Sequence, residues 1–191
     1  MGRKAGIDSE GIVEVAARIA DTDGLGAATL TAVAGELGIR TPSLYNHVDG
    51  LAGLQRLLAL HGSHLLLASF QDALEGKSGA EALKALAGAD RRFAVEHPGL
   101  YESFLPAPRQ GEDEELYDAM AAPVFVVADV LLAMGIPQCD AIHLVRALRA
   151  LLHGFLDLEA KEGFGMPVDI DASFEAAVEL VIAGIEAAAA K

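Results

Sequence analysis

The chain has 191 residues, 52% of them hydrophobic and 22% charged, with one cysteine and a formal net charge of −14. That length supports one or two domains with their own core, and the apolar fraction excludes disorder for most of the chain. The lone Cys139 excludes a disulfide framework, a cysteine-based zinc site and a dithiol redox pair.

Alanine occurs 36 times, aromatics make up 5% and tryptophan is absent, so the residues that favour strands are scarce and helices are expected throughout. No uninterrupted apolar run reaches the ~18 residues that indicate a membrane-crossing helix. Arg3 and Lys4 are followed by no apolar signal segment, so a soluble, cytoplasmic protein is expected. The charge is uneven. Residues 1–60 hold five basic side chains (Arg3, Lys4, Arg18, Arg40, Arg56) against seven acidic ones, whereas residues 61–191 hold nine against twenty-one. So acidic a chain argues against non-specific nucleic-acid binding, and any DNA binding must be argued from motifs.

Ile12, Val15, Ala16 and Ile19 recur at helical spacing and predict a helix over 8–23, with Asp8 or Ser9 as its cap. Gly24 and Gly26 stop it. A short second helix follows Thr29, buries Val33, Ala34 and Leu37, and leaves through Gly38. In the segment from Ile39 to Val48, Thr41 is the expected cap and Pro42 fits the first helical position. Leu44 and Val48 form an inward stripe with Ile39, and Ser43, Tyr45, Asn46 and His47 are left on the other face. So short a helix is not stable alone and must dock on its neighbours. Two short helices joined by a glycine turn, the second polar outside, are a helix-turn-helix or an ordinary helical hairpin with a solvated face. Hydroxyl, amide and imidazole groups in that position suit phosphates and base edges.

The run from Thr29 to Val48, TLTAVAGELGIRTPSLYNHV, resembles the DNA-binding signature of the tetracycline repressor family, in register at Gly38, Leu44-Tyr45 and His47-Val48. The resemblance covers roughly residues 8–60. It implies that Thr31, Arg40, Thr41, Pro42, Ser43, Tyr45, Asn46 and His47 contact double-stranded operator DNA. It also implies a homodimer, an unidentified small-molecule effector and, by the family's usual mode, repression. Many members carry a lysine near the start of the fourth helix, where this chain reads Asp49-Gly50-Leu51-Ala52. Fewer phosphate contacts are therefore expected, partly offset by Arg3 and Lys4.

Beyond the head, helices are expected over 51–74, 80–96, 116–134, 138–161 and 172–190, with a short helical turn after His97-Pro98 and Pro123 kinking or restarting its helix. The fold class is all-α. A helix-turn-helix domain is expected over 1–52 and a helical ligand-binding and dimerisation bundle over 53–191. His61 and His64 are three apart, but no carboxylate or cysteine completes a metal set nearby in sequence, so neither a metal nor a cofactor is expected.

The last two helices carry more apolar surface than one contact needs. That excess suits either a subunit interface or a longer core within one chain. His97-Pro98-Gly99-Leu100-Tyr101 and Leu152-His153-Gly154 resemble the family subgroup named for a W-H-G motif, with Leu152 in place of tryptophan. That resemblance implies pairing of the last two helices with their mates, through Leu148, Leu152, Phe155, Phe174, Val178, Val181 and Ile185. Phe93, Tyr101, Phe104, Met120 and Phe125 are candidates to line an effector pocket, with Arg146, Arg149 or His153 as an anchor for a carboxylate or as partners in salt bridges. No nucleophile elbow, zinc-protease motif or phosphate loop is present, so no enzyme is expected. The alternative is a helical small-molecule-binding or adaptor protein without DNA binding.

Overall fold

The structure is a computed structural model that describes residues 8–190, so Arg3 and Lys4 lie outside the described residues. Among these, every regular element is helical. The order is α1 (Ser9–Asp23), α2 (Leu30–Glu36), a 3₁₀ helix (Thr41–Asn46), α3 (Gly50–Leu74), α4 (Gly79–Glu96), α5 (Pro98–Ser103), α6 (Glu114–Ala133), α7 (Gln138–Ala160) and α8 (Ile170–Ala189). Asp8 caps α1 by accepting from the Gly11 N–H at 2.9 Å, and Thr29 caps α2 by accepting from the Ala32 N–H at 3.2 Å. α6 runs through Pro123, which is buried, as one helix.

The chain forms two compact units that do not follow a cut after Ala52. The first runs up to Leu65 and adds Glu96–Met120; the second comprises Leu66–Val95 and Ala121–Lys191. In the first, Ile12, Ala16 and Ala20 of α1 are fully buried with Val33, Leu44, Leu54 and Leu58. α5 joins this unit because its Leu100 is buried and its N-terminus is tied to α1: Asp21 accepts from the Leu100 N–H at 3.0 Å, and its other oxygen lies 2.9 Å from His97 Nδ1. Arg56 of α3 binds Asp113 and Glu115 at the start of α6, and Asp113 also caps that helix through the Leu116 N–H. The guanidinium holds the Asp113 carboxyl well below the usual carboxylate range.

The second unit packs Ala82, Leu83, Leu86, Ala89 and Phe93 of α4 in a buried stripe and closes α7 on α8 through Leu148, Leu152, Phe174, Val178, Ile182 and Ile185. Phe155 packs edge-on against Phe174, with centroids 5.2 Å apart. α6 is long and apolar enough to cross a membrane by length and hydropathy. The sequence criterion passed over it because Asp118 and Asp129 interrupt the apolar run.

Candidate nucleic-acid interface

The segment that carries the polar side chains is a 3₁₀ helix, not a turn of α-helix. Arg40 stands at its cap and Thr41 is its first residue, with the Ser43 N–H bonded to the Arg40 carbonyl and the His47 N–H to that of Leu44, each at 2.8 Å. Three-residue closures suit a helix this short, and Pro42 has no N–H to offer a longer ladder. Leu44 is fully buried and Val48 nearly so, and the segment packs against α2. Gly38 at φ +65° and Gly50 at φ +64° bracket it in backbone conformations that glycine adopts without strain.

With Leu44 and Val48 anchored, the other side faces solvent. Arg40, Pro42, Ser43, Tyr45, Asn46 and His47 are exposed, Tyr45 to 60%, and Thr41 is half-buried. Thr31 is exposed on α2. All eight residues expected at DNA are therefore solvent-accessible. A six-residue helix that spends one large hydrophobe inside shows a phenol, an amide and an imidazole outside, groups whose chemistry suits phosphates and base edges.

The charge around it is thin. Arg18 pairs with Glu36 at 3.5 Å on an exposed flank, and Arg56 is taken up by Asp113 and Glu115. Arg40 carries no ion pair among the described residues.

The body residues expected to gather at an effector are distributed differently. Tyr101 and Phe104 belong to the first unit and meet edge-on with centroids 5.5 Å apart; Phe104 also covers Gly62 of α3. Phe93 is buried in the second unit and Met120 is half-buried in the first. Phe125 is 56% exposed, because α6 buries the face of Pro123, Val127 and Leu131 and residue 125 lies on the opposite side. Arg146 and Arg149 are exposed and His153 is half-buried. The buried ionisable group of this unit is one the sequence reading passed over, Asp90 of α4. The signal was present, since Asp90 falls in the helical register of Leu83, Leu86, Ala87 and Phe93.

The stripe expected at a subunit interface is used within the chain. Leu148, Leu152, Phe174, Val178 and Ile185 are at most 6% exposed, and Phe155 and Val181 are half-buried. The five buried side chains cannot also form the outer face. That face carries Ala147, Ala150, Gly154 and Leu158 on α7, and Ala176, Leu180, Ala183 and Gly184 on α8, with Leu180 75% exposed.

His61 and His64 line a shallow cleft of about 240 Å³ with Ser9, Glu10, Val13, Leu57 and Leu60. Burial lowers the pKa of His61. Among the described residues no three metal-ligating side chains gather there or elsewhere.

Residues 83–181 match the family described as tetracyclin repressor-like, C-terminal domain. The chain is 35% identical over 186 residues to YobS of Bacillus subtilis, named as an HTH-type transcriptional regulator, covering 97% of this chain and 96% of that protein. It is 33% identical to Rv0681 of Mycobacterium tuberculosis, similarly named, covering 97% and 85%. Among solved structures it is similar to a Rhodococcus sp. RHA1 protein of unknown function (TM-score 0.77, 25% identity, 96% and 98% covered). It shares its fold with a TetR variant from Acinetobacter baumannii in complex with minocycline (TM-score 0.72, 19% identity, 95% and 97% covered).

Proposed function

The chain belongs to the tetracycline repressor family of helix-turn-helix transcriptional regulators, and on that premise we propose that it represses transcription as a homodimer on a palindromic operator and is released by a small-molecule effector. The observation that carries the reading is the exposed set Ser43, Tyr45, Asn46 and His47 above a fully buried Leu44. In a dimer each of these segments enters a major groove, with half-sites about 34 Å apart, one helical turn, or a multiple of it.

The second copy is supported by the outer face of α7 and α8. Alanine and glycine there let helices approach closely, and Leu180 supplies a large apolar side chain that water otherwise covers. A neighbour of the same fold in complex with minocycline supports a body that accepts a small, largely apolar effector. Effector and operator then oppose each other by the same factor in both directions. Selection of binding sites from random DNA with the purified protein tests the reading. Enrichment of an inverted repeat is the expected result, and enrichment of nothing refutes it.

A further inference from the structure

Three histidines meet where α1, α3 and α5 come together in the first unit. His61 and His64 of α3 wall the cleft of about 240 Å³ on one side with Leu57 and Leu60, and Ser9, Glu10 and Val13 of α1 wall it on the other. Between the two imidazoles, Gly62 lies so close to α5 that a β-carbon on it would stand 3.0 Å from the Phe104 ring. His97, at the start of α5, is the third imidazole. Of the three, among the described residues, His97 alone is ion-paired. Asp21 spends one oxygen on it at 2.9 Å and the other on the Leu100 N–H at 3.0 Å. The carboxylates left to face His61 are Glu10 and Glu14 of α1, both exposed. Their attraction is screened by water and salt, whereas the half-buried His61 ring gives up hydration and has His64 and His97 as like-charged neighbours in acid. A proton on His61 is therefore disfavoured while the cleft is closed, which holds its pKa below the ordinary histidine value.

We propose that this cleft is an acid-sensitive joint, in which protonation of His61 parts α1 from α3 and loosens the hold of the first unit on operator DNA. The inference rests on the operator-binding reading above and adds a regulation to it. Opening the cleft returns water to the His61 ring, so the open form binds the proton more tightly than the closed form. The closed form is thus favoured at neutral pH, and that advantage fades as pH falls through the ordinary histidine range. The effect reaches the recognition segment through a shared core. Ile12 and Ala16 of α1, Leu54 and Leu58 of α3, and Leu44 of the 3₁₀ helix are all fully buried in it. The contact of α1 with α5 responds differently, because a charged His97 keeps Asp21 beside it. Acid therefore loosens α1 against α3 and leaves it tied to α5.

The full chain is compared with His61→Gln, which keeps a polar side chain and never takes the charge. Between pH 7.5 and 5.5, protection of the α1 amides against hydrogen exchange should fall roughly threefold further in the parent than in the variant. Affinity for an operator selected from random DNA should fall by a similar excess in the parent. The other histidines, His47 at the DNA face among them, and Asp90 are the same in both proteins, so the difference isolates His61. Should the variant fail to fold, imidazole NMR of the parent replaces it: His61 must titrate below the ordinary histidine value, and the α1 amide shifts must follow its curve. Equal pH dependence of parent and variant in exchange or in operator affinity, or a His61 titration at the ordinary value, overturns the proposal. The exchange measurement needs no DNA. A joint that responds while no operator is enriched counts against the regulator reading and not against the joint.

Discussion

Gly99 lies so close to Ala20 that a β-carbon on it would stand 2.2 Å from the Ala20 carbonyl. The last turn of α1 and the first turn of α5 meet there with no room for a side chain, and Asp21 grips the Leu100 N–H and His97 from the next position. The His97-Pro98-Gly99-Leu100 sequence thus acts as one joint: proline starts α5, glycine admits α1, and the flanking groups bind one carboxylate. Gly99→Ala should destabilise the chain by ~1–3 kcal/mol, since neither backbone can yield without breaking the Asp21 bonds. Thermal denaturation measures this, at ~2–4 °C for each kcal/mol in a chain of this size. Unchanged melting would mean that the joint is looser than described.

Tyr45→Ala and His47→Ala should each weaken operator binding by ~1–3 kcal/mol and leave melting nearly unchanged, because both side chains are exposed. Leu44→Ala should do the reverse at first sight, costing ~2–5 kcal/mol of stability and losing DNA binding only as a consequence. The salt dependence of operator binding should be shallow, because Arg18 and Arg56 are engaged by carboxylates. A slope corresponding to many released counterions would place further cations at the DNA.

Leu180→Arg should convert a dimer to a folded monomer, since it puts a charge on the outer face of α8 without touching the core. Leu152→Arg should instead unfold the second unit, because that side chain is 5% exposed within its own chain. Light scattering with circular dichroism separates the two outcomes. A dimer that survives Leu180→Arg puts the interface on another surface.

The helices and the head were legible because periodicity and capping are local. Asp8, Thr29, Gly38 and Pro42 each act within a few residues, and Leu44 and Val48 have to face inward for so short a helix to exist. Facing was legible only where one stripe is apolar. On α7 and α8 both sides are apolar, so the pattern could not tell Leu152 and Val178, which close the core, from Leu158 and Leu180, which do not. The joint of α5 with α1 was out of reach because its partners are 76 and 79 positions apart. The 3₁₀ geometry of Thr41–Asn46 depends on how the chain docks, which spacing does not report. Asp90 was within reach, as a charge in an apolar register.

That charge should leave a mark on stability against pH. The Asp90 carboxyl is held at about 6 in the native state against 3.8 for the unfolded chain, so the native state binds the proton more tightly. Its contribution is therefore most favourable below pH ~4 and is lost as pH rises through 6, by about 3 kcal/mol in all. His61, whose pKa burial lowers, runs the other way, and Asp113 titrates only in more acid solution. The parent curve alone would mix these terms, so the quantity to measure is the difference between the parent and Asp90→Asn. The variant should gain on the parent as pH rises from 5 to 7.5 in urea denaturation, by ~1.4 kcal/mol. A difference that stays constant across that range would show that Asp90 titrates alike in the folded and unfolded chain, and its burial would then have to be partnered after all.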